Sequence, residues 1–290
     1  MTTPVSNKLL VFAQYLVPAR LLAKLVNRLS RIEQPAFKNV LIRNFCRLYK
    51  VNTAEAAKAV PDDYRSFNEF FTRELQPSAR PITTSPGNIC CPVDGTIAQI
   101  GFANDSELIQ AKGIDYNLNK LLADDELAVS LRNSAFTTIY LAPHNYHRVH
   151  MPIEGTLEQM THIPGSLYSV NAATTANMKQ LYVRNERLVC KFHGPKGVFA
   201  VVLVGAMNVG SFSTAWAGEF ISTNNAGITR KNYATDNKPP QLKGGDYLGH
   251  FNLGSTIIFV GPPTHLRWTN ELDSGTQVQM GAELGRMLTE

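Results

Sequence analysis

Val198-Phe199-Ala200-Val201-Val202-Leu203-Val204 indicates the fold class most directly. It is short, rich in β-branched residues and bounded by turn residues, which is typical of a strand in a mostly β domain. Four runs of the same kind occur between turns after residue 88: Gly95–Ile100, Phe136–Leu141, Arg187–Phe192 and Ser255–Val260. The sequence therefore predicts a mostly β domain, in which residues 114–127 form a helical interruption.

The chain before residue 60 has a different period. Residues 36–60 carry apolar side chains at helical spacing and are predicted to be helical: Phe37, Val40, Leu41, Phe45 and Leu48. The fold class predicted is α+β, with an amphipathic helical region over residues 1–60 and a β-rich domain over residues 61–290.

Two signals mark the junction between these parts. Ser66 is predicted to cap a short helix that runs through Phe71, with Glu69 three residues on, as in a capping box. Pro77 and Pro81 then indicate an extended linker.

Composition limits the class of protein. With 290 residues, 44% hydrophobic and 18% charged, the chain is long enough for one or two domains and too apolar to be disordered. Its four cysteines are scattered and none forms a C-x-x-C motif. We therefore expect reduced thiols, an internal compartment and no thiolate zinc site.

Charge is distributed unevenly along the chain. Residues 1–50 hold nine Lys or Arg and a single acid, Glu33, so this segment has a net charge of +8, whereas the whole chain has a net charge of +5. The remaining 240 residues therefore sum to −3. A basic, apolar segment on a mildly acidic body indicates an anionic partner for the N-terminal segment.

The N-terminal segment predicts a membrane-surface helix. Leu9–Val17 is too short to span a bilayer, and Pro18-Ala19-Arg20 is a poor signal-peptidase site. The helix predicted from Pro18 has one apolar and one basic face: Leu21, Leu22, Leu25, Val26, Leu29 and Ile32 against Arg20, Lys24 and Arg28. The alternative is an ordinary surface helix packed on the domain, with solvated cations.

Three histidines fall within seven residues, at His144, His147 and His150. Prolines at 143 and 152 indicate a turn or loop, and no carboxylate or thiolate lies at a useful local spacing for a metal. Acid–base chemistry is the preferred interpretation, while a metal site and purely structural histidines remain alternatives.

Asp94 and Ser255 are ambiguous when each is taken alone. Asp94-Gly95 is first of all a turn signal, and Gly254-Ser255 could simply be a turn that enters a core strand. The serine does not lie in a Gly-x-Ser-x-Gly elbow. Asp94 gains interest only where a histidine needs a carboxylate to orient it.

Taken together, these segments resemble the phosphatidylserine decarboxylases of the bacterial and mitochondrial membrane-associated type. The resemblance runs from about residue 60 to the C-terminus, and the first 50 residues match by character more than by motif. The motifs, in family order, are Phe67-Asn68-Glu69-Phe70-Phe71-Thr72-Arg73, Pro92-Val93-Asp94-Gly95, Gln110-Ala111-Lys112-Gly113, Tyr146-His147-Arg148-Val149-His150-Met151-Pro152, Pro164-Gly165-Ser166-Leu167-Tyr168-Ser169-Val170-Asn171, Arg184-Asn185-Glu186-Arg187, Val209-Gly210-Ser211 and Leu253-Gly254-Ser255-Thr256.

The resemblance implies a zymogen that cuts itself. Ser255 would attack the Gly254 carbonyl, with His150 as base and Asp94 orienting that base. The cut between 254 and 255 would give a β subunit (1–254) and an α subunit (255–290), and Ser255 would become a pyruvoyl cofactor. Phosphatidylserine would form a Schiff base with that group, lose CO₂ and leave as phosphatidylethanolamine. His147 is the candidate for proton transfer in this second reaction, with His150 as the alternative, and His144 is expected to lie outside the reacting groups.

The resemblance also implies partners and a location. We expect phosphatidylserine and anionic membrane lipid as partners, with no bound metal and no nucleic acid. The two subunits from one precursor are expected to form an α/β heterodimer, and two such heterodimers could associate. The expected location is the cytoplasmic side of the cell membrane, held peripherally, and the expected role is in phospholipid biosynthesis. A triad serine hydrolase acting on membrane lipid without self-cleavage is the alternative. A zinc hydrolase and a non-catalytic membrane-binding module are further alternatives.

Overall fold

The computed structural model describes Gln14 and residues 18–83, 85, 87–207, 211–221, 227–252, 255–262 and 266–288. The described helices are α1 (Ala19–Ser30), α2 (Pro35–Tyr49), α3 (Phe67–Phe71), α4 (Leu118–Leu122), α5 (Asp125–Ser130), α6 (Ala172–Thr175) and α7 (Leu181–Arg184), with a 3₁₀ turn at Thr53–Glu55. The described strands are β1 (Asn88–Cys90), β2 (Gly95–Phe102), β3 (Glu107–Ala111), β4 (Ile114–Asn117), β5 (Ala135–Leu141), β6 (Arg148–His150), β7 (Gly155–Ile163), β8 (Arg187–Gly194), β9 (Gly197–Gly205), β10 (Ser211–Thr214), β11 (Gly218–Ile221), β12 (Thr229–Asn232), β13 (Gln241–Leu242), β14 (Tyr247–Phe251), β15 (Ser255–Val260), β16 (Leu266–Trp268), β17 (Gln277–Val278) and β18 (Glu283–Met287). The predicted α+β class is confirmed.

A nine-stranded antiparallel sheet forms the centre of the fold. Its strand order is β12-β7-β8-β9-β15-β5-β2-β17, and β13 pairs with β7 at one side. All five strands predicted from the sequence lie in this sheet, within three residues of their expected ends, and β15 has the predicted bounds. All six residues of β15 are buried, because neighbouring strands pair with both edges of this strand and packed side chains cover its faces.

Smaller sheets complete the β part. A four-stranded sheet has the order β11-β10-β14-β6, a three-stranded sheet has β1-β18-β16, and β3 pairs with β4 in a hairpin. This hairpin corrects the helical interruption predicted for residues 114–127. Residues 114–117 are a strand, and α4 begins only at Leu118, where the Asn117 side chain caps the Asn119 amide.

Helix α1 begins one residue after Pro18 and has two apolar sides. Leu22 and Val26 are half-buried against the body, whereas Leu21, Leu25 and Leu29 are exposed. The apolar stretch Leu9–Val17 lies outside the described residues apart from Gln14. In the part of the chain that the structure describes, no helix is long and apolar enough to cross a membrane.

The helix predicted for residues 36–60 is correct only in its first half. Helix α2 ends at Tyr49, because Lys50 adopts a left-handed backbone conformation with φ 53° and its amide caps Cys46. Residues 50–60 then form a 3₁₀ turn and irregular chain.

The short helix α3 is confirmed at its predicted start. The Ser66 hydroxyl accepts a hydrogen bond from the Glu69 amide at 3.2 Å. In a capping box the Glu69 carboxylate would accept from the Ser66 amide, but here it accepts from the amide of the preceding residue, Arg65, at 2.6 Å. This helix packs under α2 in a small apolar cluster: Ile42, Val51, Tyr64, Phe67, Phe70 and Phe71.

Candidate active site

Ser255 opens β15 and is almost fully enclosed. Its residue is 1% exposed, and its Oγ has no hydrogen-bond partner among the described residues. It lies between Leu141 of β5 and Gly205 of β9. Leu253 and Gly254, on the other side of the predicted cut, lie outside the described residues. Other buried hydroxyls, such as that of Ser134, also lack a described partner, so it is the position of Ser255 at the predicted cut that makes its free hydroxyl a candidate nucleophile.

The register of the sheet brings Asp94 to the end where Ser255 lies. Thr256, Tyr140 and Thr96 form one row across β15, β5 and β2. Ser255 comes one residue before Thr256, and Asp94 comes two residues before Thr96. Both therefore lie at the same end of their strands. Because neighbouring strands are about 4.8 Å apart, the two backbones are separated by only about two strand spacings.

Asp94 is buried in an ion pair with Arg80. The Arg80 Nε donates to Asp94 Oδ1 at 2.8 Å, and Nη2 donates to Oδ2 at 2.5 Å. The Met280 amide also donates to Oδ1, at 2.9 Å. Arg80 reaches Glu55 as well, with Nη2 2.9 Å from Oε2. The carboxylate of Asp94 is therefore held by three donors.

His150 lies next to the segment that carries Asp94, since its amide donates to the Pro92 carbonyl at 2.8 Å. Its ring Nδ1 is 2.8 Å from the Gly245 carbonyl, and Nε2 is 3.0 Å from the Tyr146 hydroxyl. A carbonyl can only accept, so Nδ1 carries the proton and Nε2 the lone pair. Burial lowers the pKa of His150, which favours the neutral ring.

The Gly245 carbonyl reaches His150 because of a left-handed turn. Gly245 has φ +85°, and a Cβ there would lie 2.6 Å from the Ile82 side chain. Its amide donates to the Met151 carbonyl at 2.8 Å. A glycine at this position is thus needed to fix the tautomer of His150.

His147 is the second histidine of this loop and is fully buried. Its ring stacks on Phe71, with centroids 4.0 Å apart and planes inclined by 24°. Neither ring nitrogen has a hydrogen-bond partner within the described ranges. Burial, followed by the nearby Arg73 cation, lowers the pKa of His147 to about 3. His147 is therefore neutral at pH 7.

The loop that holds both histidines starts beside Ser255. It leaves β5 after Leu141, turns through Ala142 and Asn145, and returns as β6, which pairs with β14. The Phe251 amide contacts the His147 carbonyl at 3.3 Å, four residues before Ser255. His144 is exposed in the same loop.

The structure brings the predicted residues to one region but assigns their hydrogen bonds differently from a simple triad. His150 bonds to Tyr146 and Gly245, whereas Asp94 bonds to Arg80 and Met280. A pocket of about 640 Å³ is lined by Arg80, Asp94 and Tyr146, among others.

Sequence reasoning missed Arg80, Glu55, Tyr146 and Gly245. Tyr146 was quoted only as part of a motif, and Arg80 lay in a segment interpreted as a linker. Among the described residues, no group of three His, Cys, Asp or Glu side chains is placed to hold a metal ion.

Comparison with known proteins identifies matches over nearly the whole chain. Residues 67–286 match the family model described as phosphatidylserine decarboxylase, and residues 9–50 match a model described as PSD.

Curated relatives carry the name phosphatidylserine decarboxylase proenzyme. The relative from Methylococcus capsulatus is 44% identical over 279 residues, covering 96% of each chain. The relative from Bordetella pertussis is 42% identical over 283 residues, covering 97% of this chain and 95% of its own. The relative from Pseudomonas putida is 41% identical over 279 residues.

Proposed function

Because the chain belongs to the phosphatidylserine decarboxylase family, we propose that it cuts itself before Ser255 and then decarboxylates phosphatidylserine with the pyruvoyl group so formed. The product is phosphatidylethanolamine, and the role is in phospholipid biosynthesis. That the chain is an enzyme of this family follows from the family match. The route of maturation and the cofactor are our proposal.

The burial of Ser255 carries this proposal. In the uncut chain Ser255 is 1% exposed, so its Oγ meets the carbonyl of its own preceding residue before it could meet an external ester, and the substrate amine has to enter only after the proposed cut has freed this end of β15. A serine hydrolase needs an accessible nucleophile. The enclosed, unpartnered hydroxyl therefore favours attack on the backbone over the alternative of a triad hydrolase.

The self-cleavage proceeds in balanced steps. Ser255 Oγ attacks the Gly254 carbonyl carbon, the Gly254–Ser255 amide bond breaks, and an ester forms while the Ser255 amine is freed. Loss of the Ser255 α-proton then expels the Gly254 carboxylate and leaves dehydroalanine. Water adds to that residue, ammonia leaves, and a ketone remains at the new chain end.

His150 and Asp94 serve the first of these steps. His150 Nε2 carries a lone pair that accepts from the Tyr146 hydroxyl in the resting structure, and this nitrogen takes the Oγ proton when Ser255 attacks, so that the ring becomes a cation. The carboxylate of Asp94, close to the ring in the adjacent segment, stabilises that cation. Asp94 acts here through charge, because its hydrogen bonds go to Arg80 and Met280.

The residues around Ser255 fit a group derived from that serine, since its Oγ makes no hydrogen bond to any residue that the structure describes. The pyruvoyl group supplies an electrophilic ketone that accepts the substrate amine and withdraws electrons as CO₂ leaves. His147, whose ring is neutral, takes up the proton that the substrate ammonium releases as it reacts with the ketone and passes it to the product carbon. His150 is the alternative donor.

A denaturing mass spectrum of the purified protein tests the proposal. The 32.0 kDa chain should appear as pieces of roughly 28 kDa and 4 kDa, scaled from their lengths. The small piece should resist Edman degradation, since its amine has left as ammonia, and borohydride should add two hydrogens to its ketone. Active protein found only as an intact chain would contradict self-cleavage.

We further propose that the helical region holds the enzyme on the cytoplasmic face of the membrane, where its lipid substrate lies. Leu21, Leu25 and Leu29 of α1 are 67%, 54% and 40% exposed. On α2, Val40 and Leu48 are 58% and 74% exposed. Exposed leucines beside Arg20, Lys24 and Arg28 suit an anionic bilayer surface.

Changing Leu21, Leu25 and Leu29 together to Ser should release the protein from vesicles of anionic lipid. Each partly exposed leucine gains about 1 kcal/mol on insertion, so binding should weaken ~100-fold in a sedimentation assay. A matched control changes Phe102, Ile109 and Val129 to Ser, because these side chains are 56%, 45% and 54% exposed on the β part. Equal binding by both triple variants would remove α1 from the proposal.

A further inference from the structure

Arg80 is enclosed between two carboxylates. Its side chain is 8% exposed, that of Asp94 is 6% exposed and that of Glu55 is 30% exposed. Two of its nitrogens face the two oxygens of Asp94, which is the fork geometry that arginine alone offers. The carboxylate of Asp94 raises the pKa of Arg80, so this guanidinium is a permanent cation.

Glu55 is itself fixed to the linker that carries Arg80. The Gln76 amide donates to the Glu55 carbonyl at 2.8 Å, and the Gln76 side chain donates to the Ala54 carbonyl at 3.1 Å. The 3₁₀ turn after α2 and the start of the linker therefore form one unit. This unit brings the Glu55 carboxylate to Nη2 of Arg80, the nitrogen that also donates to Asp94.

The contacts with Arg80 fix the position of the Asp94 carboxylate. A buried carboxylate without a cation takes up a proton or turns towards solvent, because an unpaired buried charge is costly. Arg80 therefore holds the Asp94 carboxylate inside the protein, and Glu55 holds Arg80. The Asp94 carboxylate lies beside His150, whose pKa is lowered by burial, and the proximity of Asp94 offsets part of that lowering.

We propose that Arg80 and Glu55 are positioning residues for self-cleavage: Arg80 fixes the carboxylate of Asp94 in place beside His150, and Glu55 holds Arg80 in place. This inference rests on the proposed function, because Asp94 acts in the cutting step. It also gives the linker between the helical region and β1 a part in maturation.

The test follows the cutting of newly translated chain over time in a cell-free system. Arg80→Ala should cut ~100-fold more slowly, the size of effect that acid–base assistance provides. Adding ethylguanidinium should restore much of the rate, because the pocket of about 640 Å³ beside Asp94 gives it access. Urea at the same concentration should not. Arg80→Lys should fall between wild type and Arg80→Ala, and Glu55→Gln should slow cutting ~10-fold.

Two controls separate positioning from a general structural effect. Arg286→Gln removes an arginine from an exposed pair with Glu283 and should cut at the wild-type rate. In an Asp94→Asn chain, Arg80→Ala should bring no further loss and ethylguanidinium no gain, because the group to be positioned has lost its charge.

The outcomes distinguish the two proposals. Wild-type chain that is never cut contradicts the proposed function. Wild type that is cut, together with Arg80→Ala cut at the same rate, overturns only the role of Arg80. If Arg80→Ala loses its native circular dichroism, Arg80→Lys decides: slower cutting in a folded chain supports positioning, and unchanged cutting refutes it.

Discussion

Replacing Ser255 with alanine is expected to leave one chain of 32.0 kDa that releases no CO₂ from phosphatidylserine. Alanine has no hydroxyl to attack Gly254 and no oxygen bonded to its Cβ, so neither the cut nor the ketone can form. The chain should still fold, because Oγ of Ser255 makes no hydrogen bond to other described residues. Denaturing mass spectrometry and trapping of labelled CO₂ measure the two effects.

Ser134→Ala is the matched control for this variant. Ser134 is fully buried, and its Oγ also has no partner in the described part of the chain, but it lies just before β5 and away from the histidine loop. It should be cut and be active. Decarboxylation by uncut Ser255→Ala chain would contradict the pyruvoyl mechanism and return the serine hydrolase to consideration.

Changes at the two histidines should separate cutting from decarboxylation. His150→Ala and Asp94→Asn should accumulate uncut chain, because the base or its carboxylate is lost. His147→Ala should be cut at least in part yet decarboxylate 10²–10⁴-fold more slowly, the usual loss for a positioned proton donor. Gel analysis of the chain and initial rates per cut enzyme give the two quantities.

His193→Ala serves as the control for loss of an imidazole, since this ring is 60% exposed and its contact is Glu158. It should be cut and active. The opposite pattern, in which His147→Ala blocks cutting and His150→Ala is cut normally, would reverse the roles of the two histidines.

Elements that are determined by residues adjacent in the sequence were predictable. The cap at Ser66 and the strand Ser255–Val260 appear as expected, because a capping hydroxyl and an apolar run act over a few residues. The end of α2 was not predictable from its apolar period, which continues past Lys50 although the backbone turns left-handed there.

The contacts of the site depend on the tertiary fold and could not be derived from spacing. His150 and the Gly245 carbonyl are 95 residues apart in the chain and meet only because β6 pairs with β14. Asp94 and Arg80 are closer, at 14 residues, but two flanking prolines made the arginine look like part of a plain linker. Residue types therefore indicated the acid–base groups, while their partners required the structure.

The central position of β15 has a consequence for the lifetime of the enzyme. All six residues of β15 are paired with β9 on one edge and β5 on the other, and all four cysteines precede residue 254. If the backbone is cut before Ser255 as proposed, no covalent bond joins the two pieces, yet the smaller one cannot leave without opening the sheet. After denaturation it would have to find a slot between two strands of a separate molecule. Loss of the native state would then be a one-way event, and durability would be governed by how slowly the sheet opens.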